Sequence, residues 1–202
     1  DALNKSYHGE IRIGDTPIEP FATFPFISIK IDNVIIIESK DEKALELLNV
    51  TDIYVGFNIW DILQGNYDIQ NLLIEDGFFN LIFHKDGTIN LQNALEINED
   101  ASAEPPMEIH LKNIELLNLD VHKLDEATNI DVETFIYSAK GSFQATSDVI
   151  NAHFDSKFEL NVIDNGDSTY INHKQFEFHT DFSLNDQTGL LILKPSGIRM
   201  EH

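Results

Sequence analysis

The histidines, His8, His84, His110, His122, His153, His173, His179 and His202, are the first candidates for chemistry in this sequence, because imidazole both ligates metals and exchanges protons near neutral pH. No two of them fall at the spacing of a zinc-protease helix or a zinc finger, so they read as scattered surface residues and nominate no metal centre. Asp164-Asn165-Gly166-Asp167 has the look of a calcium loop but lacks the alternating acidic ligands and distal Glu that surround the ion, and reads as a plain turn. No Gly-x-Ser-x-Gly elbow, phosphate-cradling glycine loop or His-Glu-x-x-His occurs, and with 35 Asp and Glu in 202 residues no particular carboxylate pair stands out as acid and base. Without cysteine there is no disulfide, thiolate nucleophile or Cys-type zinc site. The expectation is therefore a non-enzymatic chain with no catalytic residues and no cofactor.

The charge narrows the partners. Thirteen Lys and Arg against the acids leave a net charge of -22, a field that repels phosphate backbones, so no nucleic acid is expected. The acidity reads as a solvated surface that keeps an apolar β protein in solution. No apolar run approaches the length of a membrane-spanning helix. The start, Asp1-Ala2-Leu3-Asn4-Lys5, has no signal-peptide shape and no Met, as expected of a mature or excised segment. The glycosylation triplets at Asn4 and Asn49 carry no weight in so Asn-rich a chain.

The elements that must position any site are mostly strands. Ile27 to Ile37 alternates apolar and polar residues before turning continuously apolar, and Val50 to Phe57 alternates again. Ser39 with Glu42 is a capping pair for a short helix through Leu47. Asn58 and Asp61 cap a helical turn that stops at Gly65, and Trp60 on it is read as a plug for one end of a β core rather than a membrane-interface anchor. Strands follow at Tyr67–Glu75 and Phe78–His84, joined by a hairpin turn at Asp76-Gly77; Asp86-Gly87 turns the chain into a strand over Thr88–Leu91. Residues 96–106, acidic and ending in Pro105-Pro106, read as a linker or long loop between segments 1–95 and 107–202. Beyond it, strands are expected at Met107–Lys123, Ile130–Ser138, Gly141–Ala145, His153–Ile163, Tyr170–Leu184 and Leu190–Lys194, possible continuations of the same sheet. A hairpin loop is expected at 164–167.

A repeat runs through these strands. Asn33, Asn71 and Asn113 each have an apolar residue two before and apolar residues one and three after, so the apolar set changes parity at the asparagine. A β-bulge restores one apolar face and bends the strand, and Asn suits the left-handed dihedrals. The fold class expected is mainly β: a curved antiparallel sheet of repeated strand units, groove-like or sandwich-like, with one or two short helices.

Four stretches in order carry a family resemblance: Gly9-Glu-Ile-Arg-Ile-Gly14 leading to Phe24-Pro25 and the strand after it, Val55 to Gly65, Ile69 to Gly77, and Asp86 to Asn93. Over residues 9–95 the chain resembles the periplasmic region of the AsmA family, related to bridge-like lipid transfer proteins. The resemblance implies a periplasmic segment of a longer parent protein, held in the bacterial inner membrane by an N-terminal anchor that supplies its membrane contact. It also implies phospholipid acyl chains as the partner, carried between inner and outer membranes in service of outer-membrane homeostasis. The strip that would line such a groove is Ile29, Ile31, Val34, Ile36, Ile69, Leu72, Ile74, Ile109, Leu111, Ile114 and Leu116. A closed sandwich core in a structural or protein-interaction module would use the same residues.

Overall fold

The computed structural model describes residues 4, 8–16, 18–23, 26–41, 44–64, 68–95, 109–146, 149–185, 188, 190–194 and 196–200. The β-branched, alternating stretches become long strands: β3 (Phe26–Ile37), β4 (Glu46–Asn58), β5 (Ile69–Phe83), β6 (Ile109–Asp125), β7 (Ile130–Ala145), β8 (Val149–Asp164) and β9 (Thr169–Asn185). Short strands flank them: β1 (Glu10–Arg12) and β2 (Ile18–Thr23) both pair with β3, while β10 (Leu190–Leu193) and β11 (Gly197–Met200) both pair with β9. All belong to one open, curved, mixed sheet of eleven strands. Splitting each outer edge between two short strands limits the length of unpaired backbone there.

The segments on either side of residues 96–106 share this sheet, because β5 pairs with β6 in parallel. Every other neighbouring pair is antiparallel. The parallel register sets Asn71 beside Asn113 and Ile74 beside Leu116, an offset of 42 that equals the repeat spacing seen in the sequence. Side-chain amides reinforce it: Asn113 Nδ2 donates to Asn71 Oδ1 at 2.6 Å and Asn118 Nδ2 donates to Asp76 Oδ1 at 3.0 Å.

The phase shift at the asparagines has a structural counterpart at each position. Asn33 is itself left-handed, with φ of 52°. At Asn71 the additional residue is its neighbour Gln70, since Gly56 pairs with Asn71 while Phe57 pairs with Ile69. Asn113 sits in the irregularity between Leu111 and Ile114 of β6.

A larger feature crosses the sheet at Asn33. Asp76 and Asn118 also have positive φ, 54° and 52°. The pairs flanking them, Val34 with Val50, Val50 with Gly77 and Gly77 with Leu119, place all three in one transverse row. On β7 the row reaches Tyr137, where the register with β8 slips. Each strand crossing this crease reverses its inside-outside parity. Residues of both parities therefore pack together: Val34, Val50 and Leu119 form a buried cluster with Ile31, Ile36, Leu48, Ile53, Ile74, Leu116 and Ile136 around it.

Several expectations are corrected. Asp76-Gly77 makes no hairpin: β5 runs through both residues, Asp76 supplying the crease and Gly77 a close approach to β4. Among the described residues no helix leads to Leu47: residues 39–41 bend, with Ser39 Oγ accepting the Asp41 amide, and β4 starts at Glu46, with Leu47 and Val50 buried through strand pairing. The strand over Thr88–Leu91 is reduced to a bridge between Phe83 and Ile89 before a short helix that starts at Asn90. Ile130–Ser138 and Gly141–Ala145 are one strand, β7. The capped turn after Asn58 forms as helix α1 (Ile59–Leu63), with Asn58 Oδ1 accepting the Trp60 amide at 2.8 Å. Trp60 is 65% exposed and plugs nothing. Phe24, Pro25, Gly65 and residues 96–106 lie outside the described residues.

Candidate functional site

The residues expected to line an apolar strip fall into register. Ile31 faces Ile53, Ile53 faces Ile74 and Ile74 lies beside Leu116; in the next row Ile29 meets Val55, Val55 meets Leu72 and Leu72 lies beside Ile114. Beyond the crease come Val34 with Val50 and Ile36 with Leu48. Side chains two apart on a strand share a face. With the bulges at Gln70 and Asn113 counted, Ile69 and Leu111 join the same face, and Ile109 is placed by backbone register alone, opposite Ala145. Ile69 is 42% exposed.

The face extends further than sequence reading took it. Leu111 pairs with Phe143, Phe143 with Ala152 and Ala152 with Phe182. Phe158 and Phe176 pair and stack with their centroids 5.5 Å apart. The signal was present in Phe176-Glu177-Phe178, a period-two aromatic pattern. The packing partners of the central cluster come from neighbouring strands of this same sheet, so among the described residues no second layer closes the face.

The opposite face carries paired charges, beside buried Leu47 and Ile82. Lys30 Nζ lies 3.0 Å from both Asp32 and Asp52, which raise its pKa. Glu75, beside Asp52 in register, is pushed above the usual carboxyl range by burial and then by the charges of Asp76 and Asp52. At the far end of β5, α2 (Asn90–Leu95) anchors the chain: fully buried Asn90 accepts the Ile82 amide at 2.9 Å and donates to Asn80 O at 2.7 Å. His84 there bonds Glu38 at 2.8 Å; burial opposes its charge, but Glu38 and Glu126 leave its pKa raised.

On β8 and β9 the polar face carries a constellation that sequence reading missed. His153 pairs directly with Asp181, and Asp155 with His179. The two imidazoles meet edge to face with centroids 5.2 Å apart. Each ring has one nitrogen on Asp155, at 3.1 Å for His153 Nε2 and 2.6 Å for His179 Nδ1. The hydrogen bond from His179, aided by the charges of both rings, lowers the Asp155 pKa against the opposing effect of burial. The residues were read as scattered because they lie 26 positions apart; the legible signal was the repeated His-x-Asp of His153-Phe154-Asp155 and His179-Thr180-Asp181. Shallow depressions of about 600 and 420 Å³ adjoin them, the first lined in part by Lys140, Asp155 and His179, the second in part by His153, Asp181 and Lys194.

The loop at 164–167 is a turn satisfied by its own chain. Gly166 has φ of 83°, Asp164 accepts from Gly166 and Thr169, and Asn165 Oδ1 accepts the Asp167 and Ser168 amides at 3.1 and 2.9 Å. No protein-family model, curated protein or solved structure matches this chain.

Proposed function

We propose that this chain is a non-catalytic, lipid-holding β segment of the AsmA-like kind, part of a periplasmic protein anchored in the bacterial inner membrane, and that phospholipid acyl chains lie along its apolar face. The observation that carries this reading is the continuity of that face over β3 to β9 with no covering layer among the described residues. Seven adjacent strands give six spacings of about 4.8 Å, or about 29 Å of apolar width. One leaflet's share of a bilayer core is about 15 Å, so an extended acyl chain fits within the face. Each methylene withdrawn from water contributes about 0.8 kcal/mol, and the head group stays wet at the rim. The face supplies no direction; transport toward the outer membrane needs a gradient or a partner elsewhere in the parent protein.

The second reading, a structural or interaction module whose apolar face is closed by a protein layer, draws on the same surface and on the acidic exterior. Displacement of a fluorescent fatty acid separates the two. The wild-type chain is expected to bind the probe saturably, Ile31→Asp and Ile74→Asp to weaken binding at least tenfold, and Glu115→Gln on the opposite face to leave it unchanged. Circular dichroism checks that each variant is folded, and the milder Leu72→Ser, outside the central cluster, gives the same readout with less risk to the core. Absence of a saturable site in the wild type, or equal binding by folded variants, rejects the lipid reading.

A further inference from the structure

We propose that His153, His179 and Asp181 bind a divalent transition-metal ion of the zinc class, with Asp155 as the carboxylate that orients both imidazoles. The three candidate ligands each offer an atom, and these atoms lie within 4.8 Å of one another. The pairing of β8 with β9 builds the arrangement, because two His-x-Asp tripeptides run antiparallel and each histidine faces the other strand's aspartate.

The division of labour follows from the distances. Asp155 accepts from His153 Nε2 at 3.1 Å and from His179 Nδ1 at 2.6 Å. A ligating imidazole is neutral and has one N–H; with that N–H given to Asp155, His153 Nδ1 and His179 Nε2 are the atoms free to ligate. Those two nitrogens point at Asp181, at 3.2 Å to Oδ1 and 3.5 Å to Oδ2. Two lone pairs facing a carboxylate repel it unless positive charge sits between them. A metal ion between them supplies that charge.

The spacing suits an ion. Ligand atoms held about 2.0–2.2 Å from a tetrahedral centre are about 3.4 Å from each other; the two rings lie 3.2 and 3.5 Å from the two Asp181 oxygens, and the whole ligand set lies within 4.8 Å, so a small inward movement completes the site. Two imidazoles and one carboxylate select a borderline transition ion over calcium or magnesium, which prefer oxygen alone. A carboxylate behind a ligating imidazole is the usual means of fixing its tautomer, and here one carboxylate serves both rings. The site opens onto these depressions, leaving the remaining coordination positions to water or a small anionic ligand. It lies on the face opposite the apolar one and is independent of the lipid reading.

The test is calorimetric titration of untagged, chelator-treated protein with zinc chloride at neutral pH, in excess magnesium to occupy the general acidic surface. One saturable zinc per chain is expected, weakened more than tenfold by His153→Gln and by Asp181→Asn and about 10–100-fold by Asp155→Asn. Zinc should also raise the thermal midpoint of the wild type and not that of His179→Gln, a readout valid for any variant that unfolds cooperatively. Absence of saturable binding, or undiminished binding by folded His153→Gln, overturns the proposal and assigns any uptake to the diffuse acidic surface.

Discussion

Replacing Gly77 by alanine should destabilise the chain by about 3 kcal/mol, seen as a lowered urea midpoint. A Cβ at this position would stand 2.2 Å from Asn49 O and 2.6 Å from Val50 Cα, both backbone atoms of β4. No rotamer relieves that contact, and moving β4 away breaks its ladder with β5 beside the buried cluster of Val34, Val50 and Leu119. Gly87 is the control: it sits in a turn at φ 90° with nothing within 4 Å of an added Cβ, so Gly87→Ala should cost only about 1 kcal/mol, the penalty of the dihedral itself. Had Asp76-Gly77 been a hairpin turn, the two substitutions would cost about the same.

Substituting valine at Asn33, Asp76 and Asn118 should cost about 1–2 kcal/mol per site, because a β-branched residue tolerates the left-handed region poorly. The pair Asp76→Val and Asn118→Val should lose less than the sum of the singles, since either change alone removes their shared hydrogen bond of 3.0 Å. Asn118→Gly keeps the dihedral and should lose little beyond that bond. Equilibrium unfolding of the singles, the double and the glycine variant measures all of this. Additive small losses at the three positions would mean that the crease imposes no backbone demand.

These two results bear on what the sequence displayed. Its β-branched alternation and the parity change at each asparagine were local signals, and they correctly indicated a curved, mainly β sheet. The cap at Asn58 and the turns at Asp86-Gly87 and 164–167 were equally local. What escaped depends on partners distant in the chain. Asp-Gly favours a turn in isolation, but here Gly77 is required by the backbone of β4, 27 residues before it. Ser39 and Glu42 form a capping pattern, yet burial of Leu47 and Val50 in the sheet outweighs it. The parallel join of β5 to β6 was visible only as a spacing of 42 between asparagines, with nothing to say that the spacing was a register. His153 and Asp181 become neighbours only when β8 and β9 pair.

The two faces divide the chemistry. On one, apolar side chains run from Ile31 through Ile74 and Leu116 to Phe158 and Phe176; on the other, carboxylates and imidazoles are paired in water. A closed globular core would leave no such asymmetry to use, whereas an open sheet needs something apolar to cover its long apolar side. In the proposed reading acyl chains, which have no defined shape of their own, meet that need.

Native mass spectrometry of the purified chain, before and after delipidation, tests the lipid-holding claim most directly. Phospholipid bound at defined stoichiometry, removed by delipidation and restored by added lipid, is the predicted result. A clean protein mass before delipidation, with no adduct on adding phospholipid, would contradict it and leave the apolar face to a protein layer.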